Sequence, residues 1–148
     1  VIGYEDIGLA NPELSARVLP AIQTVERLGL PEARIPLAQI TIELCLSAKS
    51  NSAYKALDAA IADVRKGKTG EIPMHLRDAH YQGANELGHG VGYKYPHDYP
   101  NGWVNQTYLP KELENVQYYQ PKNAGEEKKL LLIHQRLEQL RKDNGKKV

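Results

Sequence analysis

Positions 37–47 read LAQITIELCLS, and whether this run is a strand or a helix decides the fold class. Ile40, Ile42, Leu44 and Leu46 alternate with Thr41, Glu43, Cys45 and Ser47, the period of a half-buried strand. Leu37, Ile40 and Leu44 fit one face of a helix equally well, at spacings of three and four. Strong helical signals bound the run on both sides. It is therefore read as a helix, and the chain as all-α.

Upstream, Asn11-Pro12 pairs an N-cap with a proline at the first helical position, where the missing N–H costs nothing. Leu14, Val18, Ile22 and Val25 repeat at helical spacing, and Gly29 is a stop signal. Pro20 falls inside this helix and is expected to kink it. Pro31 and Pro36 are read as punctuating the connection that follows. Downstream, Tyr54, Leu57, Ile61 and Val64 mark a third helix, with Ser50 or Asn51 as its cap and an end near Gly67. A last helix opens at Gly125 and carries Leu130, Ile133, Leu137 and Leu140 at heptad-like spacing, with Glu138–Lys142 as a favourable i,i+4 pair. Two heptads suit an edge packed on the domain better than an intersubunit seam. The tail after Arg141 is expected to fray.

Between the third and last helices lies Pro73–Pro121. It holds seven of nine tyrosines, four of five histidines, five of nine prolines and Trp103. Such a stretch has no helical periodicity, yet it is too aromatic to be an idle linker. Ordered connections of this length are usually functional or packed by their own side chains. A defined shape is expected.

At 148 residues, 41% apolar and 25% charged, the chain has the make-up of one globular domain. It lacks Phe, so Leu, Ile, Val and Tyr must fill the core. One cysteine, Cys45, excludes an internal disulfide and fits a reducing compartment. No run approaches the roughly 18 apolar residues of a membrane span. The chain opens on Val1 with Met74 as its sole methionine, and it is read as a piece of a longer protein. The net charge of +1 is uneven: residues 1–72 carry −1, residues 73–121 carry −2 and residues 122–148 carry +4. That is not the basic stripe of a dedicated nucleic-acid module, though the tail could touch phosphate.

Several strings imitate chemical motifs. Gly67-Lys68-Thr69 resembles the end of a phosphate loop, but the required earlier glycine is Ala62, inside a helix. Gly88-His-Gly90-Val-Gly92 has a dinucleotide rhythm broken by Tyr93, and it reads as a tight turn. His75, His80, His89 and His97, with Asp98, do not show the spacing of a zinc site and read as structural. Cys45 sits in an apolar pattern, where a free thiol usually behaves as a small buried hydrophobe. His97-Asp98 has no nucleophile beside it. The rings of Tyr93, Tyr95, Tyr99, Trp103, Tyr108, Tyr118 and Tyr119 suit internal packing or a subunit interface better than base stacking, given the acidic block around them.

The longer strings go further. EDIGLANPEL at 5–14, LPEARIPLAQ at 30–39 and SAKSNSAY at 47–54 resemble the region that follows the ATPase core in the RarA family, also called MgsA. Its eukaryotic relative is the Werner helicase-interacting protein. PMHLRDAHY at 73–81, GYKYPHDYP at 92–100, QTYLP at 106–110 and YYQP at 118–121 resemble the same family's C-terminal domain. The matches run in order over nearly the whole chain.

This resemblance implies a helical bundle like the clamp-loader collar, with a long ordered aromatic loop. It implies an oligomerisation domain that gathers a AAA+ ATPase into a homotetramer at stalled or damaged replication forks. ATP and Mg would be bound by the parent's ATPase core, with no cofactor, metal or catalytic residue in this chain. Partners would be the chain itself and, through the parent, DNA and single-stranded DNA-binding protein, in a cytoplasmic, nucleoid-associated setting without a membrane. The alternative is a DNA- or partner-binding module of the same parent. Expected divisions are 1–72 following the core and lid, 73–143 with the aromatic loop and final helix, and a frayed 144–148, packed as one collar-like unit. His75, Arg77, Asp78, Tyr93, Tyr95, His97, Asp98, Trp103 and Tyr118 match the family strings. They are expected to lock the loop or to meet a neighbouring subunit, with carboxylates set against Arg77 or His97.

Overall fold

A computed structural model describes residues 1–78 and 86–145. Among these, four α-helices carry the regular structure and no strand occurs: α1 Pro12–Leu28, α2 Arg34–Leu46, α3 Ser52–Arg65 and α4 Glu127–Gly145. None of them is long and apolar enough to cross a membrane.

The termini of α1 follow from the local residues. The Asn11 side chain accepts the Leu14 N–H at 3.2 Å, Pro12 stands at the first helical position, and Gly29 closes the last turn with a positive φ. The helix runs through Pro20 to Leu28. The LAQITIELCLS run is helical, as read, but α2 begins at Arg34, so Pro36 belongs to the helix rather than to the connection. The first turn of a helix makes no use of its N–H groups, so a proline is tolerated there. α4 reaches Gly145, past the point where fraying was expected.

The chain falls into two compact units. The first comprises Val1–Ala60 and Tyr118–Glu138, the second Ile61–Gln117 and Gln139–Val148. The divisions therefore lie within α3 and α4 and at 117/118.

In the first unit, α1 and α2 pack together, and two short turns at Gly3–Ile7 and Gly8–Ala10 pack on α1. Ile7, Leu14 and Ile40 form the core, with Val18, Ala21 and Leu44 against it. Across the helix pair, Arg17 grips Glu43 with both guanidinium nitrogens at 2.8 and 2.9 Å, and the Gln39 amide adds a bond of 3.0 Å. The Gln39 amide holds the Glu43 carboxyl below its ordinary range, against the smaller opposing effect of burial, and Arg17 adds to the lowering. Ile22, expected on the buried face of α1, is exposed. Val25, one turn further along, is half-buried, so Ile22 is exposed because it falls about 80° round the helix from Leu14, at the edge of the stripe.

The second unit is mostly irregular, built from three-residue turns at Met74–Leu76, Pro96–Asp98, Pro100–Gly102 and Lys111–Leu113. Leu113 is buried there. Gly67-Lys68-Thr69 terminates α3 instead of opening a helix: the Lys68 N–H donates to the Asp63 carbonyl, and its ammonium lies 3.5 Å from the Asp63 carboxylate. A phosphate loop needs the opposite polarity, with N–H groups facing a ligand at a helix start.

Candidate functional site

Two of the strings that carry the family resemblance meet in the first unit. The strap Ser47–Asn51 leads from α2 into α3, and the strap from Tyr118 to Glu126 leads into α4. Where they meet, Glu127, the first residue of α4, is 0% exposed, and Ser50 and Ser52 are buried beside it. The Ser52 hydroxyl donates to Glu127 Oε1 at 2.5 Å, and the Tyr119 hydroxyl donates to the same oxygen at 3.0 Å. Ser50 Oγ donates to Ser52 Oγ at 3.1 Å, while Lys122 Nζ donates to Asn51 Oδ1 at 2.6 Å.

Backbone contacts complete the joint. The Ser50 N–H donates to the Asp6 carbonyl at 2.8 Å, and the Glu126 N–H donates to the Ala10 carbonyl at 2.8 Å. Gly125 takes φ +48, and a Cβ there would lie 2.1 Å from the Ala10 oxygen. Only glycine fits that crossing.

Burial on its own would push the Glu127 carboxyl up. The buried serine pair Ser50 and Ser52, the Lys122 backbone and Tyr119 outweigh it, so the group is held below its ordinary value. The charge also lies beside the first residue of α3, where a helix favours an anion. The Tyr119 hydroxyl is pushed up to about 12, first by burial and then by its bond to the Glu127 carboxylate. Ser50, Ser52 and Glu127 are all closed to solvent, so no substrate reaches them. The cluster ties three chain segments together.

The second unit holds eight of the nine expected site residues, and Tyr118 belongs to the first. His75 Nε2 bonds the Thr107 carbonyl at 2.8 Å. Arg77 donates to the Ile72 carbonyl at 2.9 Å and pairs with Glu71 at 2.6 Å, so a carboxylate does face Arg77, from a residue the sequence did not single out. The Tyr95 and His97 rings lie 4.9 Å apart between centroids, tilted by 46° to each other. Asp98 ends a short turn through its N–H on the Tyr95 carbonyl, and Asp78 stands exposed after the Met74–Leu76 turn. Gln106, also not singled out, bonds the Lys94 N–H at 2.8 Å, the Lys94 carbonyl at 3.3 Å and the Tyr108 hydroxyl at 3.2 Å, pinning two passes of the loop.

Trp103 is half-buried and lines a hollow of about 500 Å³ with Lys94, Tyr99, Asn101 and Leu140. Tyr93, Tyr95, Tyr99 and Tyr108 are exposed. His80 and Tyr81 lie outside the described residues. Among the described residues, no group of three His, Cys, Asp or Glu side chains could hold a metal ion. Cys45 is exposed, contrary to the buried thiol expected, because it stands on the side of α2 away from Ile40.

Ser50 and Ser52 carry one sequence signal, the helix-cap character of the strap before α3. Nothing in the pattern marks Glu127 as buried, since a glutamate in the first turn of a helix is ordinary on an exposed surface.

The fold and its joint define an all-helical domain made of two units, the first closed by a buried carboxylate. Residues 1–141 match the family described as MgsA AAA+ ATPase C terminal, and the chain belongs to that family. The Replication-associated recombination protein A of Bacillus subtilis is 66% identical over 125 residues, covering 84% of this chain and 30% of that relative. Its namesake in Escherichia coli K12 is 35% identical over 130 residues, covering 87% of this chain and 29% of that relative. ATPase WRNIP1 of Dictyostelium discoideum is 31% identical over 119 residues, covering 80% and 14%. The chain thus spans less than a third of the length of these relatives.

Proposed function

We propose that this chain is the homo-oligomerisation domain of a AAA+ ATPase that acts in replication-associated recombination, gathering four copies through a collar-like helical assembly. ATP and magnesium are handled outside this chain, as are the main contacts to DNA and replication proteins. Joining ATPase modules raises their local concentration and fixes their geometry.

The observation that carries this reading is the apolar surface of the helices. Tyr54, Leu57, Ile61 and Val64, the whole apolar face of α3, are exposed, as are Ile35, Ile42 and Leu46 of α2 and Leu132 and Ile133 of α4. Faces of this kind, repeated on three helices, mark protein–protein contact. The exposed tyrosines and the net +4 of residues 122–148 favour a lesser contact with single-stranded DNA.

Light scattering after size exclusion, over a roughly hundredfold range of concentration, tests the reading. A mass near four times 16.6 kDa is expected. A monomer throughout overturns it, and salt-dependent binding of single-stranded DNA then becomes the better account.

A further inference from the structure

α2 is apolar on two opposite sides. Ile40 and Leu44 face the core, while Ile35, Ala38, Ile42, Cys45 and Leu46 follow one another at helical spacing on the other side and are all exposed. The helix has two charged residues, Arg34 and Glu43, and Glu43 is already engaged by Arg17 and Gln39. A helix that is apolar all round is one that gets buried all round.

We infer that the outward face of α2 is where a second copy of this chain docks, α2 against α2 in antiparallel register. The inference rests on the assembly reading above and names the surface that performs it. The stripe is self-complementary, as a two-fold contact requires. In an antiparallel pair centred between Ile40 and Thr41, Ile35 comes opposite Leu46 of the second copy. Ala38 is small and leaves room beside Ile42 of the second copy.

The ends match in charge. Glu32 stands just before α2 and Lys49 just after it, both exposed, and the same register brings Glu32 to Lys49 of the second copy. The Lys49 ammonium lies 3.3–3.4 Å from the Leu44, Cys45 and Ser47 carbonyls, which holds it at the end of the helix. Leu30, Ile35, Ile42 and Leu46 are 84%, 65%, 58% and 82% exposed. With the smaller residues between them, two copies bury an area on the order of 1,000 Å², the lower bound for a specific interface.

Five variants test the seam by the concentration at which the assembly dissociates, with far-UV circular dichroism as the check on folding. Ile42→Glu places a charge at the centre and is expected to raise that concentration at least about thirtyfold. Leu46→Glu, at the most open position of the stripe on α2, is the substitute if Ile42→Glu loses helicity. Glu32→Lys and Lys49→Glu each bring like charges together and weaken assembly, and the double exchange restores it.

Wild-type chain that assembles while folded Ile42→Glu and Leu46→Glu assemble equally well overturns the α2 seam and leaves the assembly function standing on another face. A double exchange no better than either single one overturns the antiparallel register. Wild-type chain that stays monomeric overturns both the function and the seam.

Discussion

The two units are built on opposite terms. In the first, the most deeply buried large side chains are Ile7 and a glutamate, and the acid is accommodated because the Ser52 and Tyr119 hydroxyls both donate to one of its oxygens. In the second, most of the tyrosines stand in solvent, and the loop is held by Gln106, His75 and Arg77 bonding to backbone. Residue type alone does not say what lies inside. A charge can be buried where donors converge on it, and a ring stays outside where nothing is built to cover it.

A pair of glycines sharpens the contrast most. Gly125 and Gly92 both take positive φ, but a Cβ at Gly125 meets the Ala10 oxygen and Ala48, whereas one at Gly92 meets nothing within 4 Å. Gly92→Ala bears only the left-handed cost, about 1 kcal/mol. Gly125→Ala adds a collision with backbone and is expected to cost at least about 3 kcal/mol. Urea midpoints of the two variants measure the gap, and equal losses would mean that the joint yields as easily as the loop.

The hydroxyl of Tyr119 gives a middle-sized effect with a pH signature. Its folded value near 12 lies above the ordinary 10.0. The contribution of the neutral hydroxyl is therefore complete below pH 10 and is lost as pH rises through about 12. Tyr119→Phe is expected to lose about 1 kcal/mol near neutral pH and to fall less steeply than wild type over that alkaline window. Denaturation at several alkaline pH values checks it; parallel curves would remove Tyr119 from the joint's energetics.

The smallest effect belongs to the loop. Arg77→Ala breaks a pair whose Glu71 side chain is 86% exposed, so the expected loss is below about 1 kcal/mol. A larger drop in melting temperature than that of Tyr119→Phe would reverse the contrast between the units.

What could be read from the sequence followed the range of the forces involved. The cap at Asn11, the stop at Gly29 and the helical reading of 37–47 rest on neighbours within a turn or two, and each was legible. Ile22 and the face of α3 carried the right periodicity, but periodicity marks an apolar face and not the body that covers it. Pro36 reads locally as a break, although the first turn of a helix tolerates it. Glu127 carries no local signal because its burial depends on Ser52, 75 residues away, and no local pattern records a partner at that distance. The same holds for Gln106 and Lys94, whose bonds cross the loop.

The joint also dictates an order of manufacture. The first unit takes its members from both sides of residues 61–117. A ribosome that has reached Gln117 has made α1, α2 and α3 but not Tyr119, Gly125 or Glu127. Until roughly another ten residues emerge, Ser50 and Ser52 have hydroxyls and no carboxylate to meet, and the Ala10 carbonyl lacks its donor from Glu126. Any message cut short before Glu127 therefore yields a chain whose earliest-made unit cannot close, and quality control meets an open helical pair instead of a finished domain.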